Sequence, residues 1–319
     1  SHIKRINNNK IGTIFINKET PIHKIFKLPE LILKIKKFLG NSQKKIIVIE
    51  GASWIFYSFI VMLFFKVFVS KIKLIYISHS IESEIRKKYS NKFIFFLTKF
   101  LENLVFKFSD LSTSVSYKER KKIKVLYNAK TKLLPNGINL EKTKIRKIKT
   151  KNHIIFTGSY LYKPNKDAID YLNYHIMPTL IKKFPNLKLI LTGGGFNKKF
   201  PWVVNKGIVT KIKLYEYILS SKCLCVPLKF GSGTRIKIIE ALCLGTIVIS
   251  SKKGIEGIKL DKVNPPFIVD SKLKLIKKLI EVIKNNVSLK KKSMDSKNYY
   301  LKNYSMKNIV DKFIHENQI

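Results

Sequence analysis

The residues from Gly231 to Ala241 (GSGTRIKIIEA) hold the densest set of groups in the chain that could do chemistry. Strand-like residues, Cys223 to Leu228, precede them, and a short amphipathic helix is predicted to begin inside them. Gly231 and Gly233, on either side of Ser232, let the backbone approach a ligand closely. Thr234 is placed to cap the helix, which leaves the N–H groups of the first turn facing an anion. Lys237 and Glu240 are three apart and share one helix face, while Ile238, Ile239 and Leu242 cover the other. One cation and one carboxylate then look into the same cleft from a helix whose amino terminus favours phosphate. Arg235 strengthens this. The chain has five arginines, so 58 of its 63 basic residues are lysine, and Arg235 is the one arginine after residue 146. Its planar fork grips phosphate bidentately, as lysine cannot. The pattern suits a diphosphate joined to a pair of ribose hydroxyls, as in a nucleotide-sugar. Two plainer alternatives stand beside it: a Gly-x-Gly turn with no ligand, and Glu240 as a solvated helix residue pairing with Lys237.

The elements that position these residues alternate in period. Strands are predicted at Ile11–Ile16, Lys45–Ile49, Leu74–Ser78 and Leu111–Val115. Between them lie helices at Leu28–Leu39, Phe56–Val69 and Phe93–Phe108, and a short one begins at Lys118. Leu133-Leu134 leads into the turn Pro135-Asn136-Gly137. Residues 141–152 are charged and without apolar period, which reads as a linker. The alternation then restarts: strand His153–Phe156, helix Ala168–Phe184, and strand Leu187–Leu191 ending at Gly193-Gly194-Gly195. A short strand Gly207–Val209, helix Leu214–Leu219, strand Cys223–Val226, the motif helix and strand Thr246–Ser250 follow. Two helices, about Leu273–Lys284 and Met306–His315, close the chain. This is βαβ sequence, so parallel sheets covered by helices are expected, with ligands at the carboxyl ends of the strands.

Composition sets further bounds. A chain of 319 residues with 45% hydrophobic content is long enough for two cores. Cys223 and Cys225, two apart on a strand, read as core thiols, and no His cluster completes a metal site. The net charge of +43 invites a nucleic-acid reading. Lysine is spread along the whole chain, however, and arginine, the main reader of bases, is nearly absent, so no specific nucleic acid is expected. An anionic bilayer is the better partner for such charge. Trp54–Phe65 is apolar but short for a spanning helix, and Phe93–Phe108 reads as either a core-facing or a membrane-docking amphipathic helix.

Several pieces in order resemble glycosyltransferase family 4, retaining enzymes of the GT-B fold. They are Leu134-Pro135-Asn136-Gly137-Ile138, Phe156-Thr157-Gly158-Ser159, Pro164-Asn165-Lys166-Asp167-Ala168, Leu191-Thr192-Gly193, Val226-Pro227-Leu228, the Gly231–Ala241 motif, Gly254-Ile255-Glu256-Gly257 and Tyr304-Ser305. The resemblance implies an α/β chain of two facing Rossmann-like domains with parallel sheets. It implies that Glu240 holds ribose hydroxyls and that Arg235 and Lys237 neutralise the diphosphate. Gly158 and Ser159 would touch the phosphates. Asn165, Gly193, Gly231, Ser232, Gly233 and Thr234 would complete donor binding, and His79, after a strand end, would face the transferred sugar. No metal and no cofactor is implied. Three positions depart from the family pattern: Ser232 stands where a first Glu is usual, Lys211 follows Thr210 where Gly is usual, and the family's first strand and glycine-rich loop do not precede Ile11.

The expected domains are 1–140, an acceptor-side Rossmann-like domain incomplete at its amino end; a linker, 141–152; 153–295, which binds the nucleotide-sugar; and 296–319, a C-terminal helix crossing back to the first domain. The expected function is cytoplasmic transfer of a sugar from a nucleotide-sugar to a glycan or lipid-linked acceptor. It would run with retention, at the inner face of a membrane, in cell-surface polysaccharide synthesis. The other reading is a catalytically inactive GT-B protein acting as a basic module for membrane or partner proteins.

Overall fold

Alternation of short apolar runs with helical segments produces two sets of parallel strands. The computed structural model describes residues 2–4, 11–13, 26–40, 45–51, 55–140, 148–231, 233–284 and 286–317. They divide into two compact units: Ser1–Ser114 with Lys118–Leu133, and Val115–Tyr117 with Leu134–Ile319. Most of the expected linker, 141–147, and Ser232 lie outside the described residues.

In unit 1, strands β1 (His2–Lys4) and β2 (Ile11–Thr13) pair antiparallel. The strand expected at Ile11–Ile16 therefore does not join the parallel sheet; its last three residues lie outside the described ones. The two strands lie too close in sequence for the crossover that a parallel pair needs. After α1 (Leu28–Leu39) comes a sheet of β3 (Lys45–Gly51), β4 (Ile72–Ser78), β5 (Leu111–Ser114) and β6 (Lys132–Leu133), parallel and in chain order. Helix α2 (Ile55–Phe68) connects β3 to β4. Helices α3 (Glu82–Tyr89) and α4 (Lys92–Phe108) connect β4 to β5, and α5 (Tyr117–Tyr127) precedes β6. The core gathers Ile47, Met62, Phe65, Leu74, Tyr76 and Val105. Helix α3 has no apolar period to betray it. Its start is fixed from outside: the buried Glu102 carboxylate of α4 accepts from the backbone N–H of Glu82 (2.8 Å) and Ser83 (3.1 Å).

Unit 2 has six parallel strands. They are β7 (His153–Thr157), β8 (Lys188–Thr192), β9 (Val203–Asn205), β10 (Leu224–Val226), β11 (Val248–Ser250) and β12 (Phe267–Ile268). Their order is β12-β11-β10-β7-β8-β9, so the order reverses between β7 and β10. All five residues of β7 are buried, as a central strand covered on both faces requires. Between β7 and β8 runs α6 (Lys163–Tyr171), a π-helical turn at Leu172–Ile176, and α7 (Met177–Lys183). One continuous helix was expected here. Pro178 lacks an N–H and crowds the carbonyl four residues back, and a widened turn relieves this. Helix α8 (Lys211–Ser220) precedes β10, and α9 (Ile236–Cys243) follows it. Cys223 and Cys225 are free and fully buried, with their thiols pushed up by burial.

Past β12 the described residues form four helices where two were expected: α10 (Lys272–Lys284), α11 (Asn286–Asp295), α12 (Lys297–Tyr304) and α13 (Met306–Asn317). The lysine-rich α11 and α12 lack a strong apolar stripe. Tyrosine hydroxyls hold α12 instead: those of Tyr304 and Tyr300 accept from Lys259 N–H (2.5 Å) and Asp261 N–H (3.2 Å). Ile138 bridges to Ser305 beside it, and a Cβ on Gly137 would come within 3.0 Å of the Met306 backbone. The Pro135-Asn136-Gly137-Ile138 and Tyr304-Ser305 pieces thus form one packing unit.

Gly51 shows how tightly unit 1 is built. A Cβ there would lie 2.2 Å from the Tyr76 hydroxyl, and that hydroxyl is buried without a hydrogen-bond partner among the described residues. Gly51→Ala is expected to cost about 1–3 kcal/mol by overpacking. Tyr76→Phe should be neutral or stabilising, and should recover part of the Gly51→Ala loss. Denaturant melts of both variants and the double variant check this; strictly additive losses would contradict it.

Candidate functional site

The strand register brings the site together. Thr157 of β7 pairs with Thr192 of β8, so Gly158 and Gly193 leave the sheet side by side. Gly158 N–H donates to Thr192 O (2.8 Å). A Cβ on Gly193 would lie 2.5 Å from the Gly158 backbone, and φ is +112° at Gly193 and +129° at Gly158. Only glycine fits either place. Both were expected to take part in donor binding; Gly193 also permits a close approach of two strand ends.

A Cβ on Gly158 would also lie 2.6 Å from Lys237 Nζ and 2.7 Å from Asn165 Nδ2. The Lys237 ammonium donates to Asn165 Oδ1 (2.8 Å), and Asn165 Nδ2 donates to Ser159 O (2.9 Å). Lys237 Nζ also lies 4.2 Å from the centre of the Phe156 ring, a cation–π contact. Asn165 is buried at the start of α6, so its side chain positions Lys237 and the Gly158–Ser159 turn. The Ser159 hydroxyl is used locally, donating to Gly194 O (3.3 Å) and accepting from Leu161 N–H (3.2 Å). These groups lie where the strand order reverses between β7 and β10, the crevice where open α/β sheets take ligands.

The motif loop approaches from β10. Gly231 and Gly233 have φ of +128° and +73°, and a Cβ on Gly231 would lie 2.8 Å from Arg235 Nη2. Arg235 is buried, and its Nη1 donates to Gly233 O. The capping role expected for Thr234 is not seen. Helix α9 begins one residue later than that role needs, Arg235 stands at its N-cap, and no side chain caps it. Ile236 N–H turns back onto Thr234 O (3.1 Å), while Thr234 Oγ1 is buried without a hydrogen-bond partner among the described residues. Ile238, Ile239 and Leu242 are buried and fasten α9 to the core, as expected.

Lys237 and Glu240 share a helix side but not a hydrogen bond. Glu240 is 3% exposed and its Oε1 pairs with Lys211 Nζ, from the first turn of α8. Neither the solvated Glu240 nor its pairing with Lys237 is therefore observed. Lys211 also lies 5.2 Å from the centre of the Tyr215 ring. The residue that departed from the family pattern is thus the partner of the motif carboxylate. Its position 29 residues away in sequence hid the pairing.

His79 belongs to unit 1, just past β4, with Nε2 3.9 Å from Glu50 Oε2. Arg235, Lys237 and Glu240 belong to unit 2. Glu256 pairs with Lys253. A cavity of about 440 Å³ at the ends of β10, β11 and β12 is lined by Lys229, Lys252, Lys253, Glu256 and Asp270, but by no side chain of the Gly231–Glu240 motif. Among the described residues no group of three His, Cys, Asp or Glu could hold a metal ion. No helix among them is long and apolar enough to cross a membrane.

Burial, helped by the nearby Arg235 charge and opposed by Glu240, brings the Lys237 ammonium down to about 7 from its usual 10.5. A depressed lysine makes the folded state bind fewer protons than the unfolded chain between those values. Its contribution to stability is therefore complete above pH 10.5 and lost as pH falls through 7. Measured against Lys237→Met, the native protein should gain stability from pH 7 to 10, by up to about 1.4 kcal/mol per pH unit. Denaturant melts across that range check it, and a pH-independent difference would contradict it.

Residues 151–285 match the family model described as glycosyl transferases group 1. No curated protein sequence matches the chain. Among solved structures, sucrose-phosphate synthase from Thermosynechococcus elongatus is similar over 99% of this chain and 84% of its own, with 14% identity and a TM-score of 0.72. TarM of S. aureus, in complex with UDP, is similar over 98% of this chain but 63% of its own, with 14% identity and a TM-score of 0.69. HepE of Anabaena, in complex with UDP-glucose, is similar over 94% of this chain and 84% of its own, with 13% identity and a TM-score of 0.64. At such identities the likeness is one of fold, and it covers both units. Residues 151–285 thus carry the glycosyl transferases group 1 match, on a chain with the fold of GT-B glycosyltransferases.

Proposed function

We propose that the chain transfers a sugar from a nucleotide-sugar donor to a glycan or lipid-linked acceptor. The reaction retains configuration at the anomeric carbon, needs no bound metal, and serves cell-surface polysaccharide synthesis at the inner face of a membrane. The observation that carries this reading is the Lys237 ammonium, held by the Asn165 amide and the Phe156 ring at the strand-order switch. With a neutral hydrogen-bond partner, the ammonium is left for an arriving anion to pair with, and that anion favours its charged form. The UDP and UDP-glucose held by TarM and HepE support a nucleoside diphosphate as the group bound here.

Each residue then has a task. Breaking the bond between sugar and diphosphate leaves negative charge on the departing phosphate oxygen. Arg235 and Lys237 oppose that charge, which grows towards the transition state. A Cβ at Gly158 would press on the Lys237 ammonium and one at Gly231 on the Arg235 guanidinium, so both glycines let those cations keep their places. Glu240 accepts two ribose hydroxyls once Lys211 turns towards solvent, which its 57% exposed side chain allows. The departing phosphate takes the acceptor's proton, so no carboxylate nucleophile is needed.

A second reading, a GT-B protein that binds without catalysing, draws on the same Lys211–Glu240 pair, because the chain's own ammonium occupies the carboxylate. Donor hydrolysis separates the two, and calorimetry tests the donor site that the first requires. UDP or GDP is expected to bind with EDTA present. Hydrogen bonds to a charged group are worth roughly 1.5–3 kcal/mol each, so Glu240→Gln should weaken binding at least about tenfold without loss of fold. Arg235→Lys should also weaken it, by replacing a fork with a point charge. Lys211→Ala should tighten it by freeing Glu240. No binding of either nucleotide at millimolar concentration favours the second reading, and a strict need for Mg²⁺ would overturn the metal-free part.

A further inference from the structure

We propose that the amino-terminal half of α4 is a docking face that seats unit 1 on an anionic lipid bilayer. This deepens the membrane part of the function proposed above, and it names the element responsible. Helix α4 begins firmly: the Asn91 side chain accepts from Ile94 N–H (2.8 Å). Its inner side buries Thr98, Leu101, Glu102, Val105 and Phe106. Its outer side leaves Phe93 74%, Phe96 61% and Phe100 60% exposed, with Ile94 and Leu97 also exposed between them. Positions 93, 96, 97 and 100 form one helical stripe. Single exposed apolar side chains are ordinary, but five large ones within eight residues are a patch that water solvates poorly.

Topology explains why the sheet leaves this half uncovered. Helix α4 runs antiparallel to its strands, because it joins parallel neighbours β4 and β5. Glu102 meets the backbone of Glu82 and Ser83, just past the carboxyl end of β4. The ten residues before Glu102 therefore carry the helix about 15 Å further in that direction. They reach beyond the sheet edge at which His79 stands.

Charge selects the occupant. Between Glu84 and Glu102 the sequence holds Arg86, Lys87, Lys88, Lys92 and Lys99, and no carboxylate. Glu102 is fully buried and takes a hydrogen bond from the Tyr127 hydroxyl (2.5 Å). A second copy would set this cationic stretch against itself, on a chain already at +43. Anionic headgroups complement the lysines, and the phenylalanines enter the boundary between headgroup and acyl chain, as interfacial helices do.

The test uses the full chain with two kinds of vesicle: phosphatidylcholine alone, and phosphatidylcholine with phosphatidylglycerol. Phe93→Trp is expected to shift its emission to the blue on the anionic vesicles only. The triple change Phe93→Ser, Phe96→Ser, Phe100→Ser should lower sedimentation with those vesicles at least about tenfold. Because the three side chains are exposed, melting temperature should hold. Raising salt should weaken binding of the native chain. Three results would overturn the proposal: undiminished vesicle binding by the triple variant; bound Phe93→Trp without a blue shift, which means adsorption elsewhere; and a concentration-dependent dimer that the triple variant abolishes, which makes the face a homodimer contact. UDP affinity of the triple variant reports separately on the donor site. Its loss together with binding to lipid would point to misfolding, and Phe93→Trp, which leaves the other side chains in place, then decides.

Discussion

Lys237 sets an ammonium beside the carboxyl ends of β7 and β10 with an amide, not a carboxylate, as its hydrogen-bond partner. Withdrawing such an ion from water costs several kcal/mol unless its donors are met. Other features of the site follow from meeting them. The Asn165 oxygen must face the ammonium, so its Nδ2 faces Ser159 O, and this fixes the turn after β7. The ammonium and amide fill the space a side chain at position 158 would take, which makes Gly158 obligatory. The next strand end packs on that backbone, which makes Gly193 obligatory in turn. Three segments far apart in sequence are thus tied to one charge.

Unit 1 solves the opposite problem. Glu102 is a buried carboxyl that receives two backbone N–H groups and a tyrosine hydroxyl. Burial pushes it up from its usual value, while these donors pull it down. Because the N–H groups belong to the first residues of α3, the carboxyl acts as a remote cap on that helix. It also holds the chain that leaves β4 past His79. In each unit an ionisable side chain on a helix, fully buried at Glu102 and half-buried at Lys237, ties down the turn that follows a strand.

What the sequence showed depended on how local the cause was. The Gly231–Glu240 loop, the burial of Ile238 and Ile239, and the parallel sheets were legible, because spacing and period within a short window determine them. Lys211 was noticed only as a departure, since nothing local says that it reaches Glu240. Helix α3 stayed hidden because its stabilising carboxylate lies 20 residues on. The start of α9 was set one residue early, because Thr234 has the right chemistry for a cap but Arg235 takes the position. Asn165 and Gly193 also have structural tasks that only the folded chain shows: one orients Lys237, and the other lets two strand ends meet. His79 was picked out by resemblance alone, and Glu50, from the neighbouring strand, lies 3.9 Å from it.

The Lys211–Glu240 pair has the character of a cover and not of a lock. Glu240 is almost fully buried, so its negative charge demands a partner at all times. Lys211 supplies one from a mostly exposed position, where its ammonium can return to water at small cost. The asymmetry matters. Were both groups buried, displacing the lysine would strand a charge and oppose any competing hydroxyl donor. With only the carboxylate buried, a ligand that brings two hydroxyls satisfies the demanding side of the pair and leaves the tolerant side to solvent. On the proposed function, a lysine at position 211 would leave Glu240 able to take a ligand's hydroxyls and would act on affinity.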